Sequence, residues 1–192
     1  MRPHLFFLAA LLVAPTRSVA QYRVEGLALS FRGHGASWKL DDVETSSFDQ
    51  QRGGGAGAEI SFGMSDLFGL FGRIDLSSIS PEQGGSYTLT HFDVGVRMLP
   101  SVGSRTIRPY VEAAFTARSA EFAIGSANLE VSGPAATAGL GFLAFVAPKL
   151  AIGLGAAGSF GNMTEVTFGD ISVEPSVKAT SFRGSAALVW FP

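Results

Sequence analysis

Hydrophobic and polar residues alternate with a period of two along most of this chain. Between residues 68 and 77, the even positions carry Phe, Leu, Gly, Ile and Leu, and the odd positions carry Gly, Phe, Arg, Asp and Ser. Successive side chains of a β-strand point to opposite faces, so this alternation predicts a strand with one apolar and one polar face.

The same alternation recurs in eight segments that are separated by turn or loop residues. These segments are 24–37, 56–65, 68–79, 87–99, 108–124, 135–147, 150–162 and 178–191. Segments of about ten residues with alternating hydrophobicity are typical of β-barrels that span membranes. The pattern therefore predicts an all-β fold, a closed antiparallel up-and-down transmembrane β-barrel of about eight strands.

The predicted connections differ in length. Residues 66–67 and 148–149 are tight turns, 80–86 and 100–107 are intermediate, and 39–55, 125–134 and 163–177 are long and polar. Gly53 to Gly55 end the first long loop. In outer-membrane barrels the short turns face the periplasm and the long loops face outward.

The first twenty residues have the pattern of a secretory signal peptide. Arg2 precedes a run of ten uncharged residues, 5–14, and small residues follow at Ser18 and Ala20. The run is too short to span a bilayer, which takes about 20 residues. We expect cleavage after Ala20, which makes 1–20 the signal peptide and 21–192 one barrel domain. The alternative is a buried N-terminal helix.

The composition excludes several classes of function. Removal of residues 1–20 takes Arg2 and Arg17 and leaves 12 basic and 16 acidic residues, so nothing favours nucleic acid. The chain has no Cys, and therefore no disulfide, thiolate metal site or cysteine nucleophile. Mean hydropathy is +0.29, yet no later apolar run approaches the length of a membrane helix. We expect no cofactor and no metal.

Alternation alone does not say which face lies inside the barrel. A secreted or periplasmic lipocalin-like binding barrel has its apolar face inside, and this remains an alternative. Here the polar face consists mainly of Gly, Ala and Ser with scattered Arg and acidic residues. Small side chains suit the narrow interior of about eight strands, so we predict that the polar face points inward.

An inward polar face brings four acidic and five basic side chains into the predicted lumen. Unpaired buried charges are costly, and arginine can meet a carboxylate through two parallel hydrogen bonds. We therefore predict a salt network that fills the lumen and fixes the strand register, with an ion path as the alternative. The predicted members are Arg32, Glu59, Arg73, Asp75, Asp93, Arg97, Glu112, Arg118 and Arg183.

Two segments carry a resemblance to a known family. They are the hairpin 139–155, with Gly139-Leu140-Gly141-Phe142 and Pro148-Lys149-Leu150, and the closing strand 182–191. The chain resembles small outer-membrane β-barrel proteins of the outer membrane protein A transmembrane-domain and outer membrane protein X type. The resemblance implies a cell outer membrane location. We expect a non-enzymatic role in envelope structure or in surface binding through the outer loops, because loops on a rigid scaffold commonly carry function.

The resemblance also implies how the chain is assembled and what it contacts. In that family an aromatic residue ends the last strand and is recognised during assembly, which points to Trp190 and Phe191, although Pro192 follows here. The implied partners are outer-membrane lipid, the assembly machinery and an extracellular ligand, and the barrel is expected to be a monomer. Aromatic residues near strand ends suggest membrane-interface girdles, or simply strand preference: Trp38, Tyr87, Tyr110 and Trp190.

Some barrels of this type are lipid A- or phospholipid-modifying enzymes, which is the alternative function. His91 and Asp93 share a face and could act as base and orienting acid, with Ser86 or Ser61 as nucleophile. A histidine in the salt network is the simpler interpretation. No P-loop, HExxH or GxSxG motif is present. Four acidic residues of the first long loop could bind a divalent cation or form a solvated acidic loop: Asp41, Asp42, Glu44 and Asp49.

Overall fold

The computed structural model describes residues 24–40, 51–81, 85–101, 106–124, 127–168, 171–174 and 176–192. Within these ranges the structure consists of β-strands joined by short connections. The predicted signal peptide 1–20 and its cleavage site lie outside the described residues, as do Asp41, Asp42, Glu44 and Asp49. The strands are β1 (Gly26–Leu40), β2 (Gln51–Gly63), β3 (Phe68–Ser80), β4 (Tyr87–Met98), β5 (Ile107–Ile124), β6 (Ala127–Ala147), β7 (Leu150–Met163), β8 (Glu165–Phe168), β9 (Ile171–Val173) and β10 (Val177–Trp190).

Eight of these strands form one closed antiparallel barrel. Strands β1 to β5 pair in chain order, β1 also pairs with β10, β10 pairs with β7, and β7 pairs with β6. Pairing of β5 with β6 closes the circle. The predicted all-β, eight-stranded barrel is confirmed, and the short hairpin β8–β9 pairs with residues 129–132 near the beginning of β6.

The polar face of each barrel strand points inward. Phe92 and Val94 on β4 are 51% and 54% exposed on the outer wall, whereas Asp93 between them is fully buried. Phe68 and Leu70 on β3 also lie outside. The prediction of a polar interior is therefore confirmed, and the lipocalin-like alternative, which needs these apolar side chains inside, is wrong.

The two ends of the barrel differ. Short turns at 64–67 and 148–149 lie at one end, which we call the turn end, together with Val24 and Pro192. The side chain of Ser65 stabilises the first turn, since its Oγ accepts hydrogen bonds from the backbone N–H groups of Leu67 and Phe68. We call the opposite end, where β5, β6 and the β8–β9 hairpin extend, the loop end.

Three connections at the loop end are shorter than the sequence predicted. The predicted loop 39–55 is wrong at both edges, because β1 continues to Leu40 and β2 begins at Gln51. Gly53 and Gly55 belong to β2, where a Cβ at either position would lie within 2 Å of a carbonyl oxygen of β3. Glycine here permits close approach of two strands, and the run resembles a loop only in composition.

The other two long connections contain strand as well. The predicted loop 125–134 is wrong because β6 begins at Ala127 and its residues 127–144 pair with β5. Pro134 lies on the outer face of β6, opposite Ala117. The predicted loop 163–177 is partly wrong, since β8 pairs with residues 129–132 of β6 and β9 pairs with β8.

Three of the four aromatic residues expected at the membrane interface lie inside the barrel. Trp38, Tyr87 and Tyr110 are all buried, and only Trp190 points outward, at 49% exposure. The girdle prediction is wrong for these three because their positions in the alternation are inward. Tyr110 fits there because Gly141 and Gly155 leave space, and a Cβ at either glycine would come within 2.6 Å of its hydroxyl oxygen.

Apolar side chains close the interior at both ends. The turn-end cluster consists of Val24, Ala28, Leu99, Tyr110, Leu143, Phe145, Ala151, Val189 and Phe191. The loop-end cluster consists of Ala36, Trp38, Ile79, Tyr87, Leu89, Ala120, Met163 and Ala179. Polar side chains between these two clusters are therefore separated from solvent at both ends of the barrel.

We predict that Gly141→Ala destabilises the barrel, because its Cβ would lie 2.2 Å from the carbonyl oxygen of Leu154 and 2.6 Å from the Tyr110 hydroxyl. Such overpacking costs about 1–3 kcal/mol. Gly184→Ala is the matched control, since this outward position has no atom within 4 Å of an added Cβ. Urea unfolding in detergent micelles measures both, and equal free energies of unfolding would contradict the close packing of Tyr110.

Candidate functional site: a charged network in the lumen

Cross-strand pairing places the charged side chains of the lumen beside one another. The register sets Glu59 opposite Arg73, Arg73 opposite Asp93, and Arg97 opposite Glu112. Because these residues occupy inward positions of neighbouring strands, their side chains meet inside the barrel. Arg32 on β1 and Arg183 on β10 approach the same group from the other side of the lumen.

The part of the network nearer the turn end is centred on Arg97. Its Nη1 lies 2.8 Å from Glu59 Oε1, and its Nη2 lies 2.7 Å from Glu112 Oε2. The guanidinium carbon also lies 4.6 Å from the ring centre of Tyr110 and 4.9 Å from that of Phe71. Two carboxylates and two aromatic rings thus surround one buried cation.

Arg73 joins this part to the part nearer the loop end. Its Nη1 lies 2.8 Å from Glu112 Oε1, and its Nε donates to Asp93 Oδ2 at 2.7 Å. Arg32 Nη2 completes the first part through Glu59 Oε2 at 2.6 Å. Without Arg73, the two parts would be joined by the longer contact of 4.0 Å between Arg32 Nε and Asp75 Oδ1.

Arg183 holds the two aspartates. Its Nη1 lies 2.7 Å from Asp75 Oδ2, and its Nη2 lies 3.0 Å from Asp93 Oδ2. The second oxygen of Asp93 accepts a hydrogen bond of 2.7 Å from the hydroxyl of Thr116, which also contacts Thr137. Every one of these side chains is almost completely buried, so the pairs are shielded from water and salt.

The structure brings together eight of the nine residues that the sequence placed in the lumenal network. The exception is Arg118, which forms no ion pair with any described carboxylate. Its Nη1 donates to the carbonyl oxygen of Ala179 at 3.1 Å. Alternation places Arg118 on the correct face, but the register sets it opposite His91 on β4 and not opposite a carboxylate.

His91 lies inside the barrel and contacts neither serine that was considered as a nucleophile. Its Nε2 is 2.9 Å from Ser181 Oγ on β10. Ser86 is exposed at the loop end, with its hydroxyl 3.1 Å from that of Ser80. Ser61 lies near the turn end of β2. Asp93, the other catalytic candidate, is bound by Arg73 and Arg183.

A second histidine–serine pair was missed from the sequence. His34 Nε2 lies 2.8 Å from Ser77 Oγ, and His34 Nδ1 lies 3.9 Å from Asp75 Oδ1. The inward alternation of β1, which places His34 two residues after Arg32, was the available signal. Ser77 is 1% exposed between the two apolar clusters, so a substrate has no approach to this pair.

The described residues contain neither a metal site nor a membrane-spanning helix. Within the described ranges, no group of three or more histidine or acidic side chains is arranged to hold a metal ion. The same ranges contain no helix that is long and apolar enough to cross a membrane.

Comparisons with known proteins identify the fold. No family model matches the chain, and no curated protein matches it. Among solved structures, Neisserial surface protein A has a TM-score of 0.67 and 12% identity, over 86% of this chain and 97% of the other. Outer membrane protein OprG of Pseudomonas aeruginosa has a TM-score of 0.56 and 10% identity, over 91% and 100%.

The attachment invasion locus protein Ail of Yersinia pestis is also similar, with a TM-score of 0.54 and 13% identity, over 87% of this chain and 100% of that one. These identities are low, so the likeness concerns the fold. The chain has the fold of the small outer-membrane β-barrels, as the resemblance in its sequence implied.

We predict that Arg97→Met lowers the free energy of unfolding by about 3–5 kcal/mol, because Glu59 and Glu112 each lose a buried partner. Glu112→Gln should also destabilise the barrel. The double variant should lose less free energy of unfolding than the sum of the two single losses, by about 0.5–3 kcal/mol. The reason is that neither charge of the Arg97–Glu112 pair remains without its partner when both are removed. Urea unfolding measures the cycle with Lys178→Met as an exposed control, and strict additivity would contradict direct pairing.

Proposed function

We propose that this protein is a non-enzymatic outer-membrane β-barrel that supports the envelope and binds ligands at its loop end. The observation that carries the proposal is the closed lumen. A salt network fills the middle of the barrel, and apolar clusters cover it at both ends. A lumen filled in this way favours a structural role for the salt network over an ion path. We therefore propose that ligands bind on the outer surface of the barrel.

The apolar outer wall supports a membrane location. Large hydrophobic side chains project from every barrel strand, among them Phe31, Ile60, Phe115 and Phe160 at 54–84% exposure. A closed barrel has all its backbone groups paired between strands, as lipid requires. Export by the predicted signal peptide 1–20, with Gln21 as the mature N-terminus, agrees with this location.

The last barrel strand offers the aromatic residues that we propose as the assembly signal. Trp190 points outward, whereas Phe191 packs inward with its ring centre 5.3 Å from that of Phe145. We propose that Trp190 is the residue available to the assembly machinery before the barrel closes, and that the protein then remains a monomer.

In phospholipid vesicles we predict that Val94→Arg costs about 2–4 kcal/mol of folding free energy, because Val94 lies in the middle of the outer face of β4. Thr88→Arg, on the same face but near the loop end, should cost only about 0–1 kcal/mol. Urea unfolding of both variants in vesicles checks this depth dependence. Equal losses would count against an outer wall that is immersed in lipid.

Surface binding is proposed for the loop end because β-structure extends furthest there. Strands β5 and β6 contain 18 and 21 residues, against 12 to 15 in the other barrel strands. The β8–β9 hairpin pairs with the beginning of β6 and exposes Phe168, Ile171 and Val173. Loops on a rigid scaffold commonly carry binding functions, and exposed apolar side chains add contact area.

We predict that replacement of Phe168, Ile171 and Val173 by Ser reduces recovery of ligands from a cell-surface extract by the immobilised barrel. The matched control replaces Met64 and Leu67, exposed apolar residues at the turn end, by Ser. Gel mobility with and without heating shows that each variant is folded. If wild type and the triple variant recover the same ligands equally, binding through this hairpin is refuted.

A lipid A- or phospholipid-modifying enzyme remains the alternative. The Asp75–His34–Ser77 contacts favour it, but the three groups lie between the apolar clusters. We predict that overexpression leaves lipid A acyl content unchanged, and that His91→Ala only lowers stability, by about 1–3 kcal/mol, through loss of the Ser181 contact. Lipid analysis by mass spectrometry distinguishes the non-enzymatic barrel from the lipid-modifying enzyme. A lipid change that requires His91 or His34 would replace our proposal.

A further inference from the structure

Arg118 is a fifth arginine of the lumen that lies apart from the network. It is 2% exposed, and its guanidinium donates a hydrogen bond to the carbonyl oxygen of Ala179. Its Nε and Nη2 atoms are buried and have no hydrogen-bond partner among the described residues. Buried donors of a charged group rarely remain unpaired, because the lost hydration costs several kcal/mol.

The charge balance of the network gives Arg118 no partner. The four carboxylates Glu59, Asp75, Asp93 and Glu112 are held by Arg32, Arg73, Arg97 and Arg183 at 2.6–3.0 Å. Four positive charges therefore balance four negative ones. Among the described charged side chains between the two apolar clusters, the charge of Arg118 remains as an excess of one.

His91 supplies a second donor beside Arg118. The two residues are opposite each other on β4 and β5, and they reach Ser181 and Ala179, successive inward positions of β10. The Ser181 hydroxyl can donate to His91 Nε2, which puts the ring hydrogen on Nδ1. His91 Nδ1 is also buried without a hydrogen-bond partner among the described residues, so two side chains on neighbouring strands have unpartnered nitrogen atoms below the loop-end cluster.

We propose that the lumen binds one small monovalent anion, such as chloride, between the guanidinium of Arg118 and Nδ1–H of His91. A single negative charge balances the excess, and the filled lumen favours an ion of halide size over sulfate or phosphate. The loop-end cluster covers the position with Ala120, Met163 and Leu89. The anion is therefore taken up as the barrel folds, and it stabilises the folded state.

The first test is unfolding by urea in detergent, with sodium chloride replaced by sodium gluconate at constant ionic strength. Chloride at ten times its dissociation constant should raise the folding equilibrium constant of the wild type about elevenfold. Arg118→Met should remove this dependence, whereas Arg52→Met, an exposed arginine at the loop end of β2, should retain it. A chloride effect that is equal in wild type and Arg118→Met overturns the proposal.

A second test needs no variant that could fail to fold. Crystals of the wild type grown in sodium bromide should show an anomalous peak next to Arg118 and His91, and a map without this peak overturns the proposal.

A third test converts Asp41, Asp42, Glu44 and Asp49 to their amides. If this change destabilises wild type but not Arg118→Met, a carboxylate of the protein balances Arg118, and the anion site is likewise overturned.

Discussion

The pairing of buried charges is the constraint on which the rest of this barrel depends. Arg73 lies between Asp93 and Glu112, and Arg97 lies between Glu112 and Glu59, so four strands are connected through their side chains. A shift of one residue in any of these strands would turn its charges toward the outer wall. Because an unpaired buried charge is so costly, the network specifies one register for the strands that carry it.

Small residues make this interior possible. A carboxylate or an arginine needs more room than an eight-stranded lumen offers if every inward position carries a side chain. Gly57 faces Asp75 and Gly139 faces Glu112, and an added Cβ at either position would meet the carboxylate at 2.0 Å or 3.0 Å. Glycine at these inward positions thus makes room for large polar side chains inside the barrel.

Much of the fold follows from the alternation of residue types, because the pleat assigns every second side chain to the same face. This rule correctly predicts that Arg73, Asp93 and Glu112 lie inside the barrel. It does not locate the ends of β2 and β6, since Gly53 and Pro134 look like loop residues whenever their partners on the neighbouring strand are unknown. Alternation also does not say which inward side chains meet across the lumen, which is why Arg118 was expected among the carboxylates and the His34–Ser77 contact was missed.

The central claim is that the interior is closed to solvent, and the absence of native cysteine allows a direct test of it. Single cysteines at Ser181 and Ser159 in the lumen can be compared with one at Ser86, which is exposed at the loop end. The measurement is the rate of modification by a charged, water-soluble thiol reagent on the folded barrel. We expect rapid modification at 86 only, with the two lumenal cysteines reacting after unfolding in urea. Modification of folded Ser181→Cys as fast as Ser86→Cys would contradict a closed lumen.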